Sequence, residues 1–347
     1  MVKAAEKFQG ICKELDKFLE AKMDSARERR HSREAFRQIQ LGIDHCLMKI
    51  PYEGLKIEES YEANSRGLEI FSKSWLPENS TPKALIFYCH GYGETCTFVF
   101  EGIARKLAAS GYGVFAMDYP GFGLSEGLHG YIPSLDKLVT DVAEHFSIIK
   151  ENPKFQGLPS YLFGQSLGGA VALKVHLKQP KAWSGAILVA PMCKFADNMI
   201  PPWIVVQILT GIAYLFPRLK IVPHKNFVKM AFRDLKKQEL AAYNVIAYKD
   251  TARLWTALEC LRTTQELEPR LQEVSLPLLI LHGEADIVTD PSVSKALYEK
   301  ASSSDKKLKL YKDAYHSLLE GEPDDIIFQV LHDIISWLDH RCKKGNL

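Results

Sequence analysis

The stretch that organises this chain is Ser160-Tyr-Leu-Phe-Gly-Gln-Ser-Leu-Gly-Gly-Ala-Val-Ala-Leu-Lys-Val-His176. Its first part, Tyr161 to Phe163, is typical of a short buried strand, and its last part, from Ala170, of a beginning helix. The residues between them match G-x-S-x-G in the strand–turn–helix context that gives this motif its meaning. Glycines flanking Ser166 leave room for the neighbouring strand and helix. Ser166 is the candidate nucleophile, and a glycine-rich turn with an incidental serine is the alternative.

A second match to G-x-S-x-G lies at Gly123-Leu-Ser-Glu-Gly127. No strand leads directly into it and no helix opens at Leu124, because the preceding Tyr119-Pro-Gly-Phe-Gly123 has the composition of a turn. We therefore interpret Ser125 as a loop residue.

Apolar runs and helical patterns alternate along most of the chain. This alternation predicts an α/β fold with a doubly wound, mostly parallel sheet and helices on both faces. Residues 50–60 form a lead-in, and Gly67–Trp75 alternates as an antiparallel edge strand would. Further strands are predicted at Ala84–Cys89, Gly113–Met117, Tyr161–Phe163, Ala186–Ala190, Leu276–Leu281 and Leu308–Tyr311, with helices over 99–110, 134–150 and 324–341.

Four segments are predicted from the same pattern. They are an N-terminal helical extension (1–50), the first part of the α/β core (51–192), an inserted helical cap (193–275) and the second part of the core (276–347). In the extension, apolar residues at helical spacing form a stripe that predicts an amphipathic helix over residues 1 to about 40. This range includes a solvated, mostly basic stretch at Arg27–Arg33. We expect this helix to pack on the flank of the domain, and a membrane-surface or partner helix is the alternative. The stripe consists of Ala5, Phe8, Cys12, Leu15 and Leu19.

Composition excludes several classes of protein. The 347 residues are 46% hydrophobic and 25% charged with a net charge of +2, which is ordinary for a globular protein and gives no case for nucleic acid as a partner. The seven cysteines are scattered and form no C-x-x-C pair, which favours free thiols over a disulfide framework or a zinc site. Acidic residues near the N-terminus argue against a secretory or transit peptide, so we expect a cytoplasmic protein.

The predicted cap contains a run without any charge, from Ile200 to Phe216. It is too short for a membrane span, which needs about 20 apolar residues, and it opens with two prolines. We expect a cap helix with one face in the core and one lining an apolar pocket. Dipping of the cap into a lipid surface is the other possibility that this run leaves open.

A serine hydroxyl needs an adjacent base, and the base needs an orienting acid. On a sheet of this kind they are expected on loops after later strands, in the order serine, acid, histidine. Asp286 and His316 lie just past two predicted strands in that order. His282 is a rival base that we interpret as structural, and the rival acids are Asp290 and Asp313.

The oxyanion of an acyl-transfer intermediate requires two backbone donors. One is expected from the residue after the nucleophile, Leu167, at the N-terminus of a helix. The second is expected from the loop after Cys89, which begins His90-Gly-Tyr-Gly-Glu94, and Tyr92 is the candidate. A plain glycine turn is the alternative for this loop, and His90 is expected to order the loop.

Over roughly residues 50–340 the chain resembles the monoacylglycerol lipase and lysophospholipase branch of the α/β-hydrolase superfamily, and most of all its plant members, which include caffeoylshikimate esterases. The resemblance implies Ser166 as nucleophile, Asp286 as acid, His316 as base, and Tyr92 and Leu167 as oxyanion donors. The sequence departs from the family pattern in two places near the site. It has Asp118-Tyr-Pro-Gly-Phe-Gly123 where relatives have a His-Gly-His-type loop, and Gln165-Ser-Leu167 where Glu-Ser-Met is frequent. The identity of the substrate therefore cannot be carried over from the family. The matching segments are His90–Glu94, Asp118–Gly127, Gly164–Gly168, His282–Asp286 and Tyr315–Pro323.

These observations predict a serine hydrolase that cleaves carboxylic esters with an apolar acyl group through an acyl-enzyme, without metal or organic cofactor. The expected partner is a small-molecule ester, either a lipid or a phenolic ester. The alternatives are a caffeoylshikimate-type esterase, a lysophospholipase, an acyltransferase, a non-catalytic ligand receptor on the same fold and, with less support, an aminopeptidase. No histidine opens an H-x₄-D acyltransferase signature, which counts against the acyltransferase.

Overall fold

A computed structural model describes residue 15 and residues 21–194, 200–222 and 227–344. Its centre is an eight-stranded sheet in the order β1-β2-β4-β3-β5-β6-β7-β8. The strands are β1 Leu55–Ala63, β2 Glu69–Pro77, β3 Leu85–Cys89, β4 Gly113–Met117, β5 Ser160–Gln165, β6 Gly185–Val189, β7 Leu278–Gly283 and β8 Lys306–Tyr311.

The predicted fold class is confirmed. From β4 through β3 to β8 all neighbouring strands are parallel, and only β1 and β2 are antiparallel to their neighbours. The prediction of an edge strand at Gly67–Trp75 was wrong in one respect. The strand β2 is antiparallel, but β1 covers it, because the segment interpreted as a lead-in continues to Ala63 as the true edge.

Helices cover both faces of the sheet and build a separate apolar cluster on each. All residues of β3, β4, β5 and β6 are buried, as expected for strands that lie between two helical layers. In chain order the α-helices whose bounds the structure describes are α1 Ala26–Leu41, α2 Phe100–Ala109, α3 Leu135–Glu151, α4 Leu167–Lys178, α5 Trp203–Leu215, α6 Phe227–Ala231, α7 Leu235–Leu240, α8 Leu254–Leu267, α9 Pro291–Lys300 and α10 Asp324–Lys344.

The order of the strands changes direction at β3. After β3 the chain moves outward to β4 and then returns to the other side of β3 as β5. Open α/β sheets bind their ligands at the carboxyl edge beside such a change of direction.

The N-terminal segment differs from the amphipathic helix over residues 1 to about 40 that was predicted. Within the described residues, 21–25 are not helical, and α1 begins after its N-cap Ser25, whose hydroxyl accepts from Glu28 N–H. Leu15 is buried in the core, whereas the other four residues of the predicted stripe lie outside the described residues.

The basic stretch 27–33 is not solvated throughout, because Arg29 is fully buried. Its guanidinium donates to the carbonyl oxygens of Gly123 at 2.5 Å and Ser125 at 2.6 Å, and to that of Met23 at 2.9 Å. Burial lowers the pKa of Arg29 to about 10. Arg29 thus fixes α1 to the loop after β4.

Replacing Arg29 by methionine should lower the free energy of unfolding by about 2–4 kcal/mol, because buried carbonyl groups lose their donors. Urea denaturation followed by circular dichroism measures this loss. Arg27→Met is the matched control, since Arg27 is exposed on the same helix. Equal stability of the two variants would contradict the clamping role of Arg29.

Between β6 and β7 the described residues are mainly helical, and they include α5 to α8. On α5 only Ala213 is buried, packed with Leu254 and Leu258 of α8. That the opposite face lines an apolar pocket stays a prediction. Among the described residues it is exposed: Trp203 keeps 73% and Leu215 75% of its surface accessible. The division of the chain into cap and core at 193 and 275 stays a prediction. None of the described helices has the length and apolar character that crossing a membrane requires.

Candidate active site

Ser166 sits on a strained turn between β5 and α4. Its φ is 52°, in the left-handed region that a residue with a side chain rarely adopts. Close packing of the chain enforces this turn: a Cβ at Gly164 would overlap the carbonyl oxygen of Gly168, and one at Gly168 would overlap that of Cys89. The side chain of Ser166 remains partly accessible at the carboxyl edge of the sheet.

The loop after β3 lies directly against this turn, since Cys89 is paired with Gly164 and contacts Gly168. His90 is fully buried and orders the loop, as the sequence indicated. Its Nδ1–H donates to Gly91 O at 2.8 Å, and its Nε2 accepts from Tyr119 N–H at 3.0 Å. Both ring nitrogens are used in this way, so His90 cannot serve Ser166 as a base.

His316 and Asp286 follow β8 and β7, and the structure brings both to Ser166. The distance from Ser166 Oγ to His316 Nε2 is 2.9 Å, and His316 Nδ1 lies 2.7 Å from Asp286 Oδ2. His316 is 7% and Asp286 5% exposed. Because a carboxylate only accepts, Nδ1 of His316 carries the proton, and Nε2 is free to accept from the serine hydroxyl.

Five hydrogen bonds converge on the Asp286 carboxylate. Besides His316, they come from His282 Nε2 at 3.0 Å, Thr289 Oγ1 at 2.9 Å, and the N–H groups of Val288 at 2.7 Å and Thr289 at 3.1 Å. Burial, the largest single influence, would raise the pKa of this carboxyl. The charge of His316 and the hydrogen bonds from the two histidines outweigh it and hold the pKa far below its usual range.

Burial alone would lower the pKa of His316, and it is again the largest influence. The charge and hydrogen bond of Asp286, together with the charge of Glu94, reverse the direction, so the pKa of His316 is raised above 6.5. A raised pKa makes the imidazole a stronger base toward the serine proton. The geometry therefore supplies a nucleophile, a base and an orienting acid in hydrogen-bonded sequence.

The rival residues have other places in the structure. Ser125 is buried, and its hydroxyl donates to Asp118 O at 2.6 Å and accepts from Phe71 N–H at 2.9 Å. Asp290 caps α9, accepting from Ser292 N–H at 2.8 Å, and Asp313 is exposed. None of these three is bonded to Ser166 or His316 in the described part of the chain.

His282 is structural in the sense predicted, but it also touches the proposed acid. It is fully buried at the end of β7. Its Nε2–H donates to Asp286, so its Nδ1 accepts from the Ser294 hydroxyl at 2.7 Å. Sequence reasoning missed this second histidine partner and Thr289, although both lie in the same segment as Asp286.

The two proposed oxyanion donors are the N–H groups of Tyr92 and Leu167. Across the residues that the structure describes, neither Tyr92 N–H nor Leu167 N–H donates to another residue. The loop that holds Tyr92 is fixed from both sides: Glu94 Oε2 accepts from Gly91 N–H at 2.8 Å, and Gly93 O accepts from Tyr248 N–H at 2.8 Å. Glu94 also accepts from Gln165 Nε2 at 3.3 Å, which links this loop to the turn of Ser166. Sequence reasoning missed Glu94, because its motif marks only the glycines.

Within the described residues, no cluster of histidine, cysteine and acidic side chains could hold a metal ion. The proposed site residues lie just after β3, β5, β7 and β8.

Comparisons with known proteins agree on one family. The model of the serine aminopeptidase S33 family matches residues 80–324. A caffeoylshikimate esterase of Arabidopsis thaliana is 34% identical over 296 residues, covering 84% of this chain and 88% of the relative. The monoglyceride lipase of Homo sapiens is 30% identical over 294 residues, covering 84% and 92%. The crystal structure of a soluble variant of the Saccharomyces cerevisiae monoglyceride lipase with a substrate analogue has a TM-score of 0.70 at 24% identity, covering 82% of this chain and 95% of that one.

Proposed function

This chain belongs to the serine aminopeptidase S33 family of α/β-hydrolases and is a serine ester hydrolase of the monoacylglycerol lipase type, and from this premise we propose that Ser166, His316 and Asp286 carry out its chemistry. The observation that supports this assignment most is the continuous path of hydrogen bonds from Ser166 Oγ through His316 to Asp286.

In the first step His316 Nε2 takes the proton of the Ser166 hydroxyl while Oγ attacks the ester carbonyl carbon. Asp286 stabilises the imidazolium that forms. Tyr92 N–H and Leu167 N–H donate to the oxyanion, and the positive end of α4 adds to this stabilisation. As the tetrahedral intermediate collapses, His316 returns the proton to the departing alcohol, and the acyl group stays on Ser166.

In the second step His316 takes a proton from water, which attacks the acyl-enzyme carbonyl. A second tetrahedral intermediate forms on the same oxyanion donors. Its collapse breaks the bond to Ser166 Oγ, which regains its proton from His316. The products are one carboxylic acid and one alcohol, and the residues return to their starting states.

We propose a monoacylglycerol as the substrate class, since the human relative is a monoglyceride lipase. A phenolic ester is the second candidate, favoured by the 34% identity to a caffeoylshikimate esterase. Purified protein should be assayed against monoacylglycerols, lysophospholipids and caffeoyl esters. The highest kcat/KM is expected on a monoacylglycerol. Preference for caffeoyl esters would select the second candidate, and cleavage of none of the three would contradict the proposal.

The activity should have an acid limb set by His316. Only the neutral imidazole accepts the serine proton, so kcat/KM falls as pH decreases through the raised pKa of His316. A profile of kcat/KM against pH should give an apparent pKa above 6.5. In the residual activity of Asp286→Asn this limb should move to lower pH, because the carboxylate that raises the pKa of His316 is gone. An unmoved limb would show that another group titrates.

We further propose that the outer face of α5 contacts the lipid surface in which a monoacylglycerol is dispersed. This face is uncharged and exposes large apolar side chains, an arrangement typical of interfacial helices. Its most exposed members are Trp203, Ile204, Ile208, Tyr214 and Leu215.

Placing glutamate at Trp203 and Ile208 together should reduce binding to phosphatidylcholine vesicles by roughly tenfold or more, because charge replaces apolar contact area. Flotation measures the bound fraction. Ile148→Glu is the matched control, because Ile148 is 59% exposed on α3, outside α5. Hydrolysis of a soluble short-chain ester should stay within about twofold in all variants. Equal binding of the two variants would contradict the role of α5.

A reducing compartment such as the cytoplasm fits the thiol chemistry. All six cysteines in the described residues are unpaired, and this is the usual state in reducing compartments.

A further inference from the structure

The segment that carries His316 is held by residues from the helical region between β6 and β7. We call residues 312–322, between β8 and α10, the histidine loop, and residues 231–234, from the last residue of α6 to the residue before α7, the connecting turn. The two segments are far apart in sequence but bonded along their length. The connecting turn belongs to the predicted cap, so these contacts join the cap to the proposed base.

Backbone hydrogen bonds make up the first part of this contact. Ser317 N–H donates to Ala231 O at 2.9 Å, and the N–H groups of Arg233 and Asp234 both donate to Gly321 O at 2.9 Å. Gly321 lies so close to Phe232 that a Cβ would come within 2.6 Å of its ring. The connecting turn therefore holds the histidine loop just after His316.

The second part of the contact is the ion pair between Arg233 and Glu322, which holds the backbone just before His316. Glu322 is fully buried. Its Oε1 accepts from Tyr315 N–H at 2.6 Å, and its Oε2 accepts from Arg233 Nε–H at 2.6 Å. Tyr315 directly precedes His316, so the carboxylate fixes the backbone from which the imidazole projects.

Arg233 stabilises the buried carboxylate of Glu322 by pairing with it. An unpaired buried carboxylate is strongly unfavourable, and it relaxes by taking up a proton or by moving toward water. Burial raises the pKa of Glu322, while Tyr315 N–H and Arg233 oppose that rise. Without Arg233, Glu322 Oε2 would lose the hydrogen bond that fixes its orientation.

We propose that Glu322 is a positioning residue that aims His316 at Ser166, and that Arg233 couples this positioning to the connecting turn. The inference rests on the proposed function of Ser166 and His316. Hydrogen bonds of 2.9 Å to Ser166 and 2.7 Å to Asp286 leave His316 little tolerance for displacement. A misplacement of about 1 Å can cost a factor of roughly 10² in rate.

Kinetics of Arg233→Met and Glu322→Gln on a soluble short-chain ester test this coupling. We expect kcat to fall roughly tenfold to hundredfold in Arg233→Met, with KM changed less than about threefold. Glu322→Gln should lose less, because its amide oxygen still accepts from Tyr315 N–H. The double variant should recover part of the loss of Arg233→Met, since no unpaired carboxylate is left. Arg233→Lys keeps the charge and should stay within about threefold of the natural chain.

Arg66→Met is the matched control for removing an arginine from a buried carboxylate. Arg66 pairs with Asp141, and the side-chain exposures of the two partners are 35% and 1%, against 32% and 0% for Arg233 and Glu322. Asp141 lies on α3, away from the histidine loop in the fold. Arg66→Met should lose stability as Arg233→Met does, but keep kcat within about twofold.

A readout that requires no turnover is the low-field proton resonance of His316 Nδ1–H in its hydrogen bond to Asp286. We expect it to shift or broaden in Arg233→Met and to be unchanged in Arg66→Met. If the resonance is unmoved and kcat falls no more than in Arg66→Met, the inference is wrong, even when Ser166→Ala has abolished activity as the proposed function requires. If the natural chain cleaves no ester, the proposed function fails, and the resonance still tests the positioning.

Discussion

Replacing Ser166 by alanine should lower kcat on a monoacylglycerol by roughly 10⁴-fold or more, because no other group in the site can form the acyl-enzyme. The hydroxyl lies 2.9 Å from His316 Nε2, and alanine removes only that oxygen. The effect on folding should be small, since the side chain of Ser166 is partly accessible to solvent. Steady-state kinetics on the purified variant, with its melting temperature measured beside them, check the expectation.

Ser125→Ala is the matched control, since Ser125 occupies the other G-x-S-x-G match. Its hydroxyl joins Asp118 O to Phe71 N–H in the interior, so its loss should cost about 1–3 kcal/mol of stability. The folded fraction of this variant should keep kcat within about twofold. Retained activity in Ser166→Ala, or a comparable loss in folded Ser125→Ala, would reject Ser166 as the nucleophile.

Replacing Asp286 by asparagine should lower kcat by roughly 10³–10⁴-fold. Asparagine is nearly the same size, but it removes the charge that stabilises the imidazolium. It can also present N–H₂ toward His316, which favours the tautomer with the proton on Nε2, where it cannot accept from Ser166. Kinetics at several pH values check both effects.

Asp290→Asn provides the comparison for this substitution. Asp290 caps α9 four residues after Asp286, and asparagine is an equally good N-cap. Activity should stay within about twofold, with little change in stability. If Asp286→Asn were as active as Asp290→Asn, the orienting acid would have to be sought elsewhere.

Much of the sheet could be predicted because its strands are buried on both faces. In β3 to β6 every residue is buried, and such strands appear in sequence as short uninterrupted apolar runs. The strand β1 could not be found in this way. Six of its nine residues are exposed and three are half-buried, and its sequence, Leu-Lys-Ile-Glu-Glu-Ser-Tyr-Glu-Ala, resembles a polar lead-in.

The members of the candidate site could be named from the sequence because their positions follow from topology. Side chains just after parallel strands meet at one edge of the sheet, and this brought Ser166, Asp286 and His316 together in the structure. Their catalytic roles stay predictions until the substitutions are measured.

Contacts between distant segments were outside the reach of sequence patterns. Arg29 lies in a run of charged residues that has the composition of a solvated segment, yet its side chain is buried. Its guanidinium donates hydrogen bonds to carbonyl groups about 95 positions further along the chain. Glu322 likewise sits in a polar segment, and only the fold places Arg233 beside it. A local pattern carries no information on such partners.

The most direct test of the account is covalent labelling with a fluorophosphonate, which reacts with a serine only when a base activates it. After incubation with the folded protein, the mass of the intact chain and of its peptides locates the adduct. We expect a single adduct on the peptide that contains Ser166, and none on Ser166→Ala. Folded protein without an adduct, or with its adduct on Ser125 or another serine, would contradict the central claim that His316 and Asp286 activate Ser166.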